Sequence, residues 1–276
     1  MSISAPQKFR MGSSLELVGA YLLAVFWIFP LLYAFWAAFH DTQYAIHFEL
    51  FAPLTLENFR EVMSQAPFIR YGLNTFMVVS FLLPLQLVVS TLAAYAFAKY
   101  KFFGSNVAFV LVLVQLMITP EILIVQNYGT LASLGMVDTI AGIGLPYIAS
   151  AFCIFLLRQT FKSIPKELED AAQLEGCGTL GLLWRVYVPL AMPTYLAFSL
   201  VSLSHHWNNF LWPLIVTNSV ETRPLTVGLG IFGAPESGVD WSIISAATLL
   251  SVAPLLIAFL LFQKQFVQSF MQAGIK

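Results

Sequence analysis

Long apolar stretches alternate with polar connections along this chain. The stretches span approximately residues 15–39, 71–98, 105–127, 139–160, 190–217 and 241–265. Each is long enough for a helix that crosses a hydrocarbon layer of roughly 30 Å, which needs about 20 residues. Unpaired backbone groups are costly in lipid, and the two-residue alternation of a barrel strand is absent. The pattern therefore predicts an all-α membrane protein with a six-helix transmembrane domain over residues 15–266, flanked by tails at 1–14 and 267–276.

Composition agrees with a membrane protein and excludes other classes. Hydrophobic residues make up 59% of the chain and charged residues only 10%, whereas a soluble domain carries about 25% charged residues. We therefore expect membrane lipid around it. A net charge of −1 with no basic stripe excludes a nucleic-acid partner. Internal prolines should kink four of the six helices, at Pro84, Pro120, Pro213 and Pro254.

Positive charges in the connections predict the orientation, because Lys and Arg remain preferentially on the cytoplasmic side. If the N-terminus is cytoplasmic, ten of the 13 Lys and Arg residues fall inside and three outside. We therefore expect both termini in the cytoplasm. This orientation puts residues 163–189, the coupling loop, inside and residues 218–240, the outer loop, outside.

The coupling loop is polar and contains a helix-start pattern, Ser163-Ile-Pro-Lys-Glu. We expect one short helix from Pro165 to about Gly176, a turn rich in glycine, and a second helix that Pro189 leads back into the membrane. By itself this pattern also suits an amphipathic helix lying on the surface.

A spacing within the coupling loop favours a more specific interpretation. Asp170-Ala171-Ala172, then Gly176, then Val186-x-Val188-Pro189 resembles the EAA loop of permease subunits of binding-protein-dependent ABC importers. The family pattern is E-A-A, three residues, Gly, nine residues, then I-x-L-P. Every spacing matches, with Asp for Glu and Val for Ile and Leu. The resemblance covers nearly the whole chain, and the stretches Trp207–Pro213 and Arg223-Pro-Leu-Thr-Val are similar to the sugar-importer branch, which includes the maltose and glycerol-3-phosphate permeases.

The resemblance implies a type I ABC importer fold, as a multi-pass protein of the bacterial cytoplasmic (inner) membrane. It further implies that the coupling loop forms the coupling helix, which docks on a nucleotide-binding subunit. The residues expected to serve that contact are Glu169, Asp170, Ala171, Ala172, Gly176 and Pro189.

The implied partners are a dimer of ATP-binding subunits, a second homologous permease and an extracytoplasmic solute-binding protein. ATP and Mg²⁺ would be held by the ATP-binding subunits. This chain has no GxxxxGK[ST] phosphate loop, so we expect it to be no enzyme and to hold no cofactor of its own. Its two cysteines and its His205–His206 pair lack metal-ligand spacing.

Polar residues inside apolar stretches are expensive and are candidates for a solute pathway. They are Gln115, Glu121 and Asn127 in the third stretch, and Trp207, Asn208, Asn209 and Trp212 in the fifth. Sugars present ring faces to aromatic side chains and hydroxyls to amides. The alternatives stay open: Glu121 could be hydrated at the outer interface, and Trp and Asn also serve interfacial anchoring and helix packing.

The outer loop is rich in glycine and proline and could be a plain connector. In relatives this loop reaches toward the solute-binding protein. The resemblance therefore implies that role for Glu221, Arg223, Gly228, Gly230 and Gly233.

The function implied by the resemblance is import of a sugar or related polar solute, delivered by the binding protein and driven by ATP. The same architecture importing glycerol-3-phosphate or glycerophosphodiesters is the alternative. An ion-coupled secondary transporter would need buried carboxylates, and Glu121 is the single acid within the stretches apart from Glu16; no inverted repeat is visible. A membrane-embedded enzyme would need a catalytic constellation, which the sequence lacks.

Overall fold

A computed structural model describes residues 11–233 and 239–274, and the side chains of residues 16–233 and 239–261. Within these ranges every regular element is a helix. The α-helices are α1 (Met11–Ala38), α2 (Thr42–His47), α3 (Glu57–Gln65), α4 (Phe68–Lys99), α5 (Ser105–Val114), α6 (Ile124–Ser133), α7 (Ile140–Gly144), α8 (Ala151–Ser163), α9 (Lys166–Leu174), α10 (Thr179–Leu182), α11 (Val188–Leu190), α12 (Met192–Trp207), α13 (Leu211–Val216), α14 (Leu225–Leu229) and α15 (Trp241–Gly274). Single turns of other helix types lie at Gln115–Met117, Pro120–Leu123, Leu145–Tyr147 and Gly230–Gly233 (3-10) and at Leu183–Tyr187 (π).

The described residues contain three helices long and apolar enough to cross a membrane: Glu16–Ala38, Phe68–Lys99 and Trp241–Leu261. Three more spans result if each of three bent helix pairs counts as one, for up to six in all. Large apolar side chains are exposed along these helices, as at Phe26, where 75% is exposed, and Phe76, where 60% is. An apolar exposed surface on spanning helices is what lipid contact requires.

The prediction of one continuous helix over residues 105–127 is wrong. Helical segments Ser105–Met117 and Pro120–Ser133 meet at 95°. Ile118 and Thr119 between them are extended, with ψ of 116° and 136°. A proline disfavours helical backbone in the residue before it, so Pro120 causes a full break in place of the expected kink.

The predicted boundaries of the fifth helix, residues 190 and 217, are also wrong. The helical segment Thr179–Leu190 meets α12 at 73°, and α12 ends at Trp207. The Asn208 side chain donates to the Ser204 carbonyl at 2.8 Å, and such side-chain bonds compete with helix continuation. Pro213 therefore lies in the separate helix α13 and kinks nothing.

The other predicted prolines behave differently. Pro84 and Pro254 lie inside α4 and α15, which continue through them. The fourth stretch bends by 50° between Ile140–Tyr147 and α8, although no proline was expected to kink it. Helix α15 continues to Gly274, past the tail boundary expected at residue 266. Residues 1–10 and 275–276 of the two predicted tails lie outside the described residues.

The chain divides into two compact units. One comprises the residues up to Gln65 with 232–250. In it, the buried Asn58 amide donates to the carbonyls of Ala38 (3.0 Å) and His40 (2.9 Å). These bonds fasten α3 to the end of α1.

The other unit comprises residues 66–231 and those from Ser251 onward. Its long helix α4 packs against α7, α8, α12 and α14. Its largest buried cluster includes Leu157, Phe161 and Tyr187, which are fully buried. A smaller cluster surrounds Trp212 and Val216. Both the coupling loop and the first part of the outer loop belong to this unit, so α4 is the scaffold for both.

Candidate functional site

The coupling loop folds as expected into a short helix, a turn and a second helical segment. Helix α9 starts after Pro165, and α10 is followed by the π-turn and α11. The sequence did not predict the π-turn. Pro189 has no N–H to donate to the Arg185 carbonyl, and the Val188 N–H instead bonds Leu183 five residues back.

Gly176 ends α9 in a Schellman motif. Its φ is +85°, a left-handed conformation that side chains other than glycine adopt at a cost. The Gly176 N–H donates to the Gln173 carbonyl at 2.9 Å, and the Cys177 N–H donates to the Ala172 carbonyl at 3.0 Å. The backbone conformation therefore favours glycine at this position, whereas the surrounding space does not, because a Cβ there would meet no neighbour within 4 Å.

Glu169 is anchored inside the protein. Its carboxylate accepts from Lys99 Nζ at 2.6 Å and from Tyr187 Oη at 2.8 Å. The ammonium also lies 4.7 Å from the Tyr187 ring centroid. Tyr187 is fully buried, and the Lys99 and Glu169 side chains are only 20% and 16% exposed. We call these three residues the clamp; because Lys99 is the last residue of α4, the clamp ties α9 to the end of that helix.

The clamp lowers the pKa of Glu169. Burial of the carboxyl acts to raise the pKa, but the hydrogen bonds from Lys99 and Tyr187 outweigh it and hold the pKa below its ordinary value. Sequence reasoning selected Glu169 but missed its two partners. The sequence did contain an indication of one partner, because Lys99 is a charged residue at the end of a long apolar stretch.

The rest of α9 separates an exposed face from a packed one. Glu167, Asp170, Ala171 and Leu174 recur at helical spacing and are exposed, Leu174 by 90%. Ala172 lies on the other side and packs against the core, as do Val186 and Val188. The two alanines thus lie on different sides of α9, and Pro189 is exposed.

The expected pathway residues do not form one site. The indole N–H of Trp207 donates to the Ser251 carbonyl, and that of Trp212 to the Ile143 carbonyl, each at 3.1 Å and buried. Both tryptophans therefore serve packing. Gln115 Oε1 accepts from the Ala151 N–H at 3.1 Å, at the start of α8.

The remaining four polar candidates separate as well. Asn209 donates to Tyr147 Oη at 3.3 Å. Asn208 and Glu121 are exposed, and Asn127 is half-buried.

A buried polar network that the sequence did not reveal joins α4, α12 and the turn ending at Tyr147. Gln86, in α4, accepts from Ser202 Oγ at 2.6 Å. Its amide nitrogen lies 2.7 Å from the Tyr147 carbonyl and 3.2 Å from His206 Nε2. Gln86 could have been selected from the sequence, because it is a polar residue within an apolar stretch and such residues are costly in a membrane and are candidates for function.

The first part of the outer loop is held by specific contacts. Asp138 Oδ1 accepts from the N–H groups of Asn218 (2.9 Å) and Ser219 (3.1 Å) and from the Thr222 hydroxyl. Burial acts to raise the pKa of Asp138, but these hydrogen bonds outweigh it and lower the pKa to about 2. The segment is therefore no loose connector.

Helix α4 holds the same loop from another side. The Asn74 amide donates to the Arg223 carbonyl at 2.9 Å, and Thr75 Oγ1 accepts from the Leu225 N–H at 2.8 Å. A Cβ at Gly228 would overlap the Tyr71 ring, so only glycine fits.

The other expected outer-loop residues are less constrained. Gly230 and Gly233 have open space where a Cβ would lie. Arg70 donates to the Glu221 carbonyl at 3.0 Å, so Arg70 binds Glu221 through its backbone.

Residues 59–272 match the model of the family described as binding-protein-dependent transport system inner membrane component. The chain belongs to this family. It is therefore an inner-membrane permease of a transport system and not an enzyme, which confirms the assignment made from the EAA spacing.

Relatives in this family align over most of the chain. The arabinooligosaccharides transport system permease protein AraQ of Halalkalibacterium halodurans is 32% identical, over 94% of this chain and 95% of its own length. The sn-glycerol-3-phosphate transport system permease protein UgpE of Escherichia coli is 31% identical, over 87% of this chain and 89% of its own length.

Solved structures show the same fold. A bacterial ABC transporter involved in import of the acidic polysaccharide alginate has a chain with a TM-score of 0.84 and 22% identity, covering 96% of this chain and 100% of that one. A bacterial alginate ABC transporter in complex with an alginate pentasaccharide-bound periplasmic protein gives a TM-score of 0.63 at 15% identity, covering 93% and 96%. The expected importer fold is confirmed.

Proposed function

We propose that this permease is one of two homologous membrane subunits of an ATP-driven importer, and that it translocates a sugar or related polar solute delivered by an extracytoplasmic binding protein. ATP and Mg²⁺ are held by a dimer of nucleotide-binding subunits that docks on the coupling loop. Membership of the family supports the transport role, and the geometry of α9 supports the docking.

The observation that carries the proposal is the two-sided construction of α9. Its exposed face, Glu167, Asp170, Ala171 and Leu174, has small and apolar positions that a partner groove can cover. Leu174, which is 90% exposed, is an apolar side chain that such a groove would remove from water. Its other side is fixed to the membrane domain by the clamp and by Ala172.

This construction supports a route for transmitting motion. When closure of the ATP-binding subunits moves α9, the clamp carries the displacement to Lys99 at the end of α4. Helix α4 also bears Gln86 and the outer-loop contacts of Asn74 and Thr75. A rigid α4 thus connects the inner docking site to the outer loop, and ATP-driven closure favours the outward-open state that the loaded binding protein prefers.

Solute contact is assigned to Tyr147 and Asn209, and the side chains of Asn208 and Glu121 are exposed. Trp207 and Trp212 are assigned to packing, because their polar atoms are occupied by backbone carbonyls. The outer loop contacts the solute-binding protein, and Asp138 and Asn74 hold its first part in place for that contact.

The solute is proposed to be a sugar because the relatives include an arabinooligosaccharide permease. The glycerol-3-phosphate permeases at 31% identity favour a phosphorylated polyol as the second candidate. An ion-coupled mechanism is disfavoured by family membership.

The decisive test is purification of the permease in mild detergent from its native host, with mass spectrometry of the proteins that accompany it. Recovery of a P-loop ATPase, a second permease and a binding protein supports the proposal. Reconstitution of that complex should give uptake that stops when ATP is omitted. Uptake by the permease alone, driven by an ion gradient, would refute it.

A further inference from the structure

Arg223, in the outer loop, has a cationic side chain that forms no ion pair within the described residues. Its Nε–H is completely shielded from solvent and makes no hydrogen bond. Only two ion pairs occur in the described part of the chain, Arg60–Glu57 and Lys99–Glu169, and neither involves Arg223. A buried donor left unpaired costs free energy, and native structures rarely retain one without a function.

The backbone around Arg223 is rigidly held. The Arg223 N–H donates to the Ser219 carbonyl at 3.2 Å, and its carbonyl accepts from Asn74 at 2.9 Å. The next residues are fixed as well, because the Leu225 N–H donates to Thr75. The Arg223 side chain thus extends from an ordered backbone position, which reduces the entropy lost when a ligand binds.

Arg223 lines a cleft of about 370 Å³. The other walls include Phe210, Leu214, Thr217 and Ile231. An aromatic face, a hydroxyl-bearing residue and an arginine form a site suited to a sugar ring carrying an acidic group. Guanidinium binds carboxylate and phosphate in a two-pronged arrangement that ammonium cannot reproduce.

The cleft is linked to the residues assigned to solute contact. The Thr226 hydroxyl, three residues after Arg223, donates to the Asn209 carbonyl at 2.7 Å, and the Asn209 side chain donates to Tyr147. The predicted orientation puts this cleft at the extracytoplasmic end of the permease, where a solute arrives first.

We propose that Arg223 binds the oxyanion of an acidic sugar, either a uronic-acid carboxylate or a sugar phosphate, at the outer entrance of the permease. This inference rests on the proposed function and narrows its solute class from polar solutes in general to anionic ones. The neutral part of the solute lies against Phe210, and Thr217 borders the same cleft.

Saturation-transfer NMR on the complete transporter in lipid nanodiscs tests the proposal, with glucuronate, glucose 1-phosphate and glucose as probes. We expect glucuronate or glucose 1-phosphate to bind and glucose not to. Arg223→Gln should weaken anion binding by about tenfold or more, because hydrogen bonds to charged groups are among the strong ones. Arg223→Lys should recover part of it, and Arg60→Gln, at an exposed arginine already paired with Glu57, should change nothing.

The two anionic probes distinguish the source of the oxyanion, since preference for one identifies carboxylate or phosphate. Equal binding of glucose, or Arg223→Gln binding the anions as wild type does, would overturn the proposal. So would an Arg223→Gln permease that loses affinity for the solute-free binding protein and keeps the anion signal, because the guanidinium would then serve protein docking.

Failure of the anion site and failure of the proposed function are distinguishable. If the transporter takes up a neutral sugar in an ATP-dependent way without binding either anion, the importer assignment stands and the anion site fails. If uptake requires no ATP, the importer mechanism itself fails.

Discussion

Removing the charge of Glu169 should uncouple ATP hydrolysis from transport. In Glu169→Gln, the Lys99 ammonium loses its ionic partner in a site where both side chains are largely shielded, at 20% and 16% exposure. Two hydrogen bonds to a carboxylate, at 2.6 and 2.8 Å, are weakened together. Hydrogen bonds to charged groups contribute about 1.5–3 kcal/mol each, and residual solvent screening reduces this.

We therefore expect the attachment of α9 to α4 to weaken by about 2 kcal/mol. Because about 1.4 kcal/mol corresponds to a tenfold change in an equilibrium, the detached form of α9 should become about 30-fold more populated. The exposed face of α9 is unchanged, so the ATP-binding subunits should still bind and hydrolyse ATP.

The assay is the number of ATP molecules hydrolysed per solute imported, measured in proteoliposomes with the complete transporter. That ratio should rise in Glu169→Gln and in Lys99→Met. The double reversal Lys99→Glu with Glu169→Lys should recover part of the coupling, since the opposite charges and the Tyr187 hydroxyl remain able to bond.

Glu57→Gln is the matched control. Glu57 also forms an ion pair, with Arg60 at 2.5 Å, but in this pair both side chains are exposed. Exposed pairs contribute about 0–1 kcal/mol, so this variant should keep the wild-type ratio. An unchanged ratio in Glu169→Gln, with the protein folded and assembled, would refute the transmission of motion through the clamp.

Three further predictions concern backbone and loop positions. Gly176→Ala should destabilise the end of α9 by about 1–2 kcal/mol, because the residue there has a left-handed φ of +85°, and Gly176→Asn should destabilise it less. The number of ATP molecules hydrolysed per solute imported should therefore rise more in Gly176→Ala than in Gly176→Asn; equal ratios in the two variants would contradict this. Gly228→Ala should lower the free energy of unfolding of the permease by roughly 1–3 kcal/mol, because the new Cβ overlaps the Tyr71 ring. In thermal melts this variant should therefore unfold at a lower temperature than wild type, whereas Gly230→Ala, with open space around it, should unfold at the wild-type temperature. The pKa of Asp138 is about 2 in the folded protein against an ordinary value of 3.8, so the stability that its carboxylate contributes is fully present above about pH 4 and is lost as the pH falls toward about 2. Protection against hydrogen exchange in the loop that Asp138 holds should therefore fall over that window, and Asp138→Asn should abolish this pH dependence.

Local sequence pattern was sufficient for the architecture. Six apolar stretches, a polar inner connection and the spacing from Asp170 to Pro189 identified a helical importer permease. These features can be recognised from local sequence alone. A spanning helix needs a minimum number of consecutive apolar residues, and glycine at position 176 is favoured by the backbone conformation of that residue itself. The sequence was less reliable for helix ends, since the break before Pro120 and the end of α12 at Trp207 depend on how neighbouring segments satisfy the backbone.

Tertiary structure alone decided which polar side chains are available for function. In sequence, Trp207 and Trp212 were candidates either for a solute pathway or for helix packing, and their N–H groups are occupied by carbonyls 44 and 69 positions away. Glu169 obtains its charge partner 70 positions away at Lys99, whereas Arg223 obtains none in the part of the chain the structure describes. No local pattern encodes these outcomes, because whether a polar group is paired depends on which distant segment the folded chain brings beside it.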